Sequence, residues 1–432
     1  MAAKKKTVGQ KRAAREREQV QAPVSKAAVG GTPFTKLVAE LNKYLAPGGG
    51  RVYLGADYEE KLYSRRSTGN PILDYVSGGG FPRGGMVEIA GPYSVGKSST
   101  VLSILAYEQR TQKSPICIAA LEPFSKTWAR TCGLWIPFSE KMIFDPATGG
   151  ERPSDPFSKA TKEELARMEE LGITDPYEEV SPVVILEDSR GDALLDAVIK
   201  VVASNIFAYV VVDSLGIAKS TTYVEERGVQ DSQDFDRTPK MIGDYTARCC
   251  LTLNKRYDEN NLPTPTGTRL NETTIVNLNQ VVTNIGTQAF LPWKKFSVKG
   301  GEGNKHNHQL ILFMWRNDGD LLQAKTKKEE AKYIYGQRIN VIATKSKICA
   351  PFKEGAFDFY TRPYGGMKTG DVDRAKATFS LGRLARLVEV SGSWFKVGDL
   401  KAQGEDAMAD ALRGEPEIQQ WLLEESLKVL RE

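Results

Sequence analysis

At 432 residues and 41% hydrophobic, the chain has material for about two to three domains with a sizeable core, and no run of about 18 apolar residues marks a membrane span. Five cysteines, odd in number and without a C-x-x-C pair, and only two histidines, His306 and His308, argue against a disulfide framework and a zinc site and for reduced thiols in a cytosol; the N-terminus has no apolar signal core. The net charge of +5 sits in the first 20 residues, with seven basic and two acidic groups, while the other 52 basic and 52 acidic groups cancel.

Taken in chain order, residues 1–32 read as a disordered basic tail: charged, then rich in Ala, Gly and Pro. Such a tail reads equally as an arm that dwells on nucleic acid and as a solvated terminus. Residues 33–50 follow as an amphipathic helix and linker. Phe34, Leu37, Val38, Leu41, Tyr44 and Leu45 recur at helical spacing, and Pro47 with three glycines stops the helix. That helix can pack on its own domain or on a neighbouring subunit.

Residues 51–370 alternate short apolar runs with helical segments. MVEIA (86–90), PICIAAL (115–121), PVVIL (182–186), YVVVD (209–213) and TIVNLN (274–279) read as strands buried on both faces, which suits a parallel sheet. DALLDAVIKVVASN (192–205) has helical periodicity. The fold class is therefore α/β, a mostly parallel central sheet flanked by helices. Residues 137–181 interrupt the rhythm as a proline-rich, acidic surface insertion. One helix is expected in it over about 161–171, with Thr161 and Glu164 forming a capping box and Gly172 the stop. Residues 371–432 read as a small C-terminal α/β module ending in one or two helices.

The chemistry starts at GPYSVGKSST. Gly91 to Ser98 match G-x-x-x-x-G-K-S, between a strand and the helical STVLSILAYEQR. Backbone N–H groups of Gly91, Pro92, Tyr93, Ser94, Val95, Gly96, Lys97, Ser98 and Ser99, proline excepted, would cradle phosphates. Lys97 would neutralise the β- and γ-phosphates, and the Ser98 hydroxyl would ligate Mg²⁺. Asp213, after four apolar strand residues, is the second magnesium-side candidate, since an unpaired buried carboxylate is costly. Glu122, ending the second strand, is the candidate that activates water, and Gln280, ending TIVNLNQ, is the candidate γ-phosphate sensor.

The stretch STGNPILDYVSGGGFPRGGMVEIAGPYSVGKSS (67–99) resembles the segment leading into the phosphate loop of the bacterial RecA recombinase family. The resemblance continues through VVVDSLG (210–216), NLNQ (277–280), ATKSKICAPFKEGAFDF (343–359) and the C-terminal EPEIQQWL, and covers most of residues 35–430. Divergence of this extent is typical of phage-encoded relatives. The resemblance implies a RecA-type P-loop ATPase core using ATP and Mg²⁺, in the cytoplasm of a bacterial cell or phage-infected host. It implies helical homo-oligomeric filaments on single-stranded DNA, pairing with homologous double-stranded DNA, and single-strand-binding and mediator proteins as partners. It makes the helix at 34–45 a subunit-docking element, and Gln280 the link from γ-phosphate to a DNA-binding loop. Lys345 and Lys347 become cations reaching the neighbouring subunit's ATP; taken alone, KSK is only a basic strand. Trp128 falls where the family has an aromatic residue against adenine, or is a core tryptophan. Two DNA loops follow, at about 220–239 with Arg227 and Arg237, and at about 281–307 with Lys299, Gly300, Gly301 and Lys305. Arg248 and Lys255 fall near further DNA-contacting positions.

The chain departs from the family's pattern in three places. Aligning Trp128 puts Leu121, not Glu122, where the catalytic glutamate belongs. The second loop is longer than usual, and the acidic tail is missing. Two rival readings share the core: a ring-shaped helicase or DNA motor, against which KSKICAPF and the C-terminal module stand, and an ATP-binding DNA filament protein with little hydrolysis.

Overall fold

The structure, a computed structural model, describes residues 33–45, 64–138, 142–145, 150–153, 160–221, 238–264, 267–284, 292–324 and 333–431. The chain divides into two units, residues 1–60 and 61–432. In the first, the expected amphipathic helix is present as α1, Pro33–Leu45, and its apolar residues Leu37, Leu41, Tyr44 and Leu45 are exposed.

The second unit opens with α2 (Pro71–Val76), capped by the Asn70 side chain, and then β1 (Met86–Ala90), α3 (Lys97–Gln112), β2 (Ile116–Ala120) and α4 (Lys126–Thr131). Next come α5 (Lys162–Glu170), β3 (Val183–Glu187), α6 (Gly191–Ala203), β4 (Tyr209–Asp213) and α7 (Thr238–Leu253). They are followed by β5 (Thr274–Asn279), the hairpin strands β6 (Val281–Thr283) and β7 (Phe296–Val298), α8 (Gly301–Asn307) and β8 (Leu310–Trp315). The core ends with β9 (Leu321–Ala324), the long β10 (Tyr333–Ser346) and β11 (Glu354–Tyr360). The last segment holds α9 (Arg374–Leu384), a small sheet of β12 (Glu389–Ser391), β13 (Trp394–Val397) and β14 (Leu400–Gln403), then α10 (Glu405–Gly414) and α11 (Pro416–Val429).

The main sheet runs β9-β10-β8-β1-β5-β4-β2-β3, with β11 also on β10. From β8 to β3 every pairing is parallel, and β9, β10 and β11 pair antiparallel. Successive strand residues point to opposite faces. Val87, Ile89, Ile116, Ile118, Val276 and Leu278 meet α2, α3 and α9 on one side. Met86, Cys117, Val210, Val212 and Ile275 meet α6 and α7 on the other. Covering both faces explains why these strands read as unbroken apolar runs, and each such aliphatic side chain contributes about 1.5–3 kcal/mol by burial. One strand departs from expectation. β3, in PVVIL, is the edge strand, so Val184 is 37% exposed rather than buried.

Residues 137–181 also differ from a free surface insertion. The expected helix is there, with the Thr161–Glu164 capping box, and a hairpin of Met142–Asp145 against Gly150–Pro153 precedes it. Two of its charges, Glu164 and Arg167, are buried and paired, while Lys162, Glu163, Glu169, Asp175, Glu178 and Glu179 are exposed. Arg130 of α4 donates to Ile136 O (2.6 Å), Pro137 O (3.0 Å) and Glu164 Oε1 (2.9 Å), with both ion-pair partners buried. Buried Arg167 donates to Asp371 Oδ1 (2.6 Å), Thr369 O and Thr131 O. These two buried pairs anchor an otherwise exposed segment. The C-terminal segment has the expected α/β make-up, but α9 is a shared spine. Its Ala377 and Leu381 join the main core, while Ala375 and Phe379 join the core formed with β13, α10 and α11.

Candidate active site

Register decides which residues meet. Asn279 lies level with Ala90, Asn277 with Val212, and Asp213 with Ala120. The residues that follow those strand ends, Gly91, Gln280, Ser214 and Glu122, therefore emerge at one edge, the carboxyl ends of the parallel strands, where ligands bind in open α/β sheets. They line a cleft of about 430 Å³ with Lys97, Ser98 and Asp213.

The phosphate loop wraps the start of α3. At Gly91 a Cβ would lie 2.2 Å from Met314 O of the neighbouring strand, so only glycine lets β1 and β8 stay paired there. Val95 is buried in the core, leaving only its backbone for a ligand, whereas Tyr93 is 93% exposed and lines the cleft. Lys97 Nζ donates to Gly91 O (2.9 Å) and Pro92 O (2.8 Å), which aims the ammonium back over the loop. Burial pulls the Lys97 ammonium below its ordinary value, and the carboxylates of Asp213 and Glu122 act the other way. Burial likewise raises the Asp213 carboxyl, against a hydrogen bond from Ser98. The Asp213–Ser214 peptide bond is cis.

These donors suit a magnesium nucleotide. Lys97 has only neutral oxygens as hydrogen-bond partners, so its charge is available to phosphate. Among the described residues no cluster of three or more His, Cys, Asp or Glu could hold a metal by itself. The Ser98 hydroxyl and Asp213 carboxylate would hold Mg²⁺ only together with the nucleotide's own oxygens, as that ion prefers.

Glu122 enters the cleft, while Leu121 packs against the hydrophobic cluster under α6. Despite the one-residue offset from the family's pattern, it is Glu122 and not Leu121 that lines the cleft. Glu122 Oε1 accepts from Ser214 Oγ (2.9 Å) and Gln280 Nε2 (3.3 Å). Trp128 is half-buried, donates Nε1–H to Ser99 Oγ (3.1 Å), and lines an adjoining cavity of about 200 Å³ with Phe124 and Leu102, not the phosphate cleft itself.

The DNA candidates divide. Lys299 stands beside Gln280, and Gly300 and Gly301 follow it at the entry to α8. Gly300 is buried with φ +105°, and a Cβ there would come within 3.1 Å of Ile242, so helix entry and packing account for this glycine without a ligand. Lys305 lies at the far end of α8. Arg248, on α7, pairs with Asp196 (2.5 Å), and Lys255 follows the end of α7, about 24 Å along that helix from its start. Arg227 and Arg237 lie outside the described residues, as does most of the first loop and the 1–32 tail.

Lys345 and Lys347 sit elsewhere. Lys345 pairs with Ile311, which is level with Glu88, so it lies back from the strand end that carries the phosphate loop. Lys345 Nζ donates to the carbonyls of Lys305, His306 (3.1 Å) and His308 (3.0 Å), and Lys347 Nζ to His306 O (2.8 Å). Two cations thus satisfy the C-terminal carbonyls of α8.

Four residues that support the cleft were given no role in the sequence reading. Glu88, in the middle of β1, is fully buried; its Oε1 accepts from Asn279 Nδ2 (2.8 Å) and Asn304 Nδ2 (2.7 Å). It ties the strand before Gln280 to α8 of the second loop. Ser214 and Asn279 lie inside the quoted VVVDSLG and NLNQ stretches but were assigned no role, and Asn304 is a polar residue with no motif of its own. A charge inside MVEIA was the available signal, by the same cost argument applied to Asp213.

A phosphate loop on a parallel sheet, with a magnesium-side aspartate and a glutamate facing it, defines a P-loop nucleotide-binding α/β protein. The family model for the RecA N-terminal domain matches residues 36–154. The chain is 24% identical to Protein RecA of Leptospira meyeri over 367 residues, 84% of this chain and 74% of that one. It is 26% identical to Protein RecA of Nitratidesulfovibrio vulgaris strain Miyazaki F (77% and 71%), and 24% identical to Protein RecA of Clostridium tetani (82% and 79%). The chain thus carries a RecA-family domain and is similar to RecA proteins over most of its length. Among the described residues no helix is long and apolar enough to cross a membrane.

Proposed function

We propose that the chain is a DNA-dependent ATPase that assembles as a helical filament on single-stranded DNA and promotes exchange with a homologous duplex. One observation carries this reading: Lys345 and Lys347 lie outside the phosphate-loop cleft of their own subunit. Lys97, Ser98, Asp213 and Glu122 share the cleft at the carboxyl ends of the strands. Lys345 and Lys347 cluster at the opposite end of α8. In the proposed filament they reach the nucleotide phosphate of another copy. Cations delivered in trans stabilise charge in phosphoryl transfer only when subunits are assembled.

In this scheme Lys97 holds the β- and γ-phosphates of ATP, Ser98 and Asp213 hold Mg²⁺, and Glu122 orients or deprotonates water. ATP binding favours the DNA-tight filament, and hydrolysis releases it. The exposed apolar face of α1 docks on a neighbouring subunit. Loop contacts to phosphates suit a protein that binds any sequence.

Electron microscopy with ATP and single-stranded DNA tests the assembly. Helical filaments are expected; closed rings without filaments would overturn the reading in favour of a ring motor. Phosphate release with and without DNA tests the enzyme, and its absence would leave an ATP-binding filament protein.

A further inference from the structure

The second loop leaves β5 and returns as a hairpin, with Val281 opposite Val298, Val282 opposite Ser297 and Thr283 opposite Phe296. The next pair toward the sheet is Gln280 with Lys299, and Lys299 N donates to Gln280 O at 3.2 Å. Opposed side chains in such a pair meet. Lys299 Nζ donates to Gln280 Oε1 (3.0 Å) and Gly216 O (3.3 Å). Gln280 Nε2 in turn donates to Glu122 Oε1. Hydrogen bonds therefore run unbroken from a loop cation to the carboxylate that faces the phosphate loop.

Two features make this a device rather than a packing contact. The Lys299 backbone is anchored, because its carbonyl accepts from Asn279 Nδ2 (2.7 Å), which the buried Glu88 also holds. Only the long, flexible side chain is left to move. Its ammonium also meets only neutral oxygens among the described residues, and an anionic oxygen is the stronger partner.

We propose that Lys299 is the switch between DNA and Glu122, an inference that rests on the function proposed above. Without DNA, Lys299 holds Gln280 onto Glu122, so that two donors occupy the oxygen that must take a proton from water. A backbone phosphate at the second loop draws the ammonium away, Gln280 loosens, and Glu122 becomes an available base. Lys299 acts through Gln280 and is a positioning residue, not a catalytic one.

The test is phosphate release by the full chain, with and without single-stranded DNA, for the parent, Lys299→Met and Lys299→Arg. Lys299→Met should raise the DNA-free rate about tenfold, the scale of one charge-assisted hydrogen bond, and DNA should then add little. Lys299→Arg should keep the low DNA-free rate and its stimulation. In a Gln280→Ala background, Lys299→Met should bring no further rise. A DNA-stimulated parent with an unchanged DNA-free rate in Lys299→Met, and only weaker DNA binding, overturns the switch alone. A parent whose turnover ignores DNA overturns the functional reading and the switch with it.

Discussion

Replacing Glu122 by glutamine isolates the water-activating step. Glu122 is exposed to the cleft, and its Oε1 accepts from Ser214 and Gln280. Glutamine retains an oxygen at that place, so both hydrogen bonds persist and only charge and proton affinity are lost. For an exposed residue the folding cost is within about 0.5 kcal/mol. A positioned base contributes about 10²–10⁴ in rate, or roughly 3–5 kcal/mol of barrier. Phosphate release on single-stranded DNA should therefore fall by about 100-fold or more, while titrations with a fluorescent nucleotide and with labelled DNA give parent-like affinities. A turnover close to the parent's would refute the reasoning and place the base elsewhere.

Asp213→Asn should separate stability from function. Burial raises the Asp213 carboxyl, so its ionised form costs the folded state at neutral pH; the variant should melt higher without nucleotide and lose magnesium-dependent stabilisation by ATP, and a lower melting point would contradict this. His308, fully buried between Asn277 and Asn304, is held below its ordinary value of 6.5 by burial. The unfolded chain takes up that proton first, so urea midpoints should fall as pH drops below about 6.5, and His308→Gln should flatten the slope. Arg130→Ala strands buried Glu164 and should cost about 3–5 kcal/mol, read by denaturant unfolding, with early proteolysis within residues 137–181; parent-like resistance would overturn that anchoring. Lys347→Ala should reduce ATPase only when subunits are assembled, and an equal loss in dilute monomers would refute its role in trans.

Much of this molecule was legible because local signals coincide with tertiary ones. Strand β1, the glycine-rich loop and α3 form a contiguous unit, so phosphate chemistry could be read from adjacent residues. The parallel sheet was visible because strands covered on both faces need unbroken apolar runs, and the capping box at Thr161 needs only its own helix. Glu88, Ser214, Asn279 and Asn304 escaped because their work depends on partners far along the chain: Glu88 meets Asn304 across 216 positions. The anchoring of residues 137–181 escaped for a similar reason: most of their described charges are exposed, but Glu164 and Arg167 are buried and pair with Arg130 and Asp371.

The sequence by itself determined the nucleotide class, through the G-x-x-x-x-G-K-S spacing, and the α/β architecture, through hydrophobic periodicity. Tertiary structure alone decided that Glu122 rather than Leu121 faces the phosphate loop, that Lys345 and Lys347 lie away from their own chain's cleft, and that Lys299 meets Gln280. Periodicity reports which face of an element is buried, but strand register and loop closure decide which distant side chains share an edge.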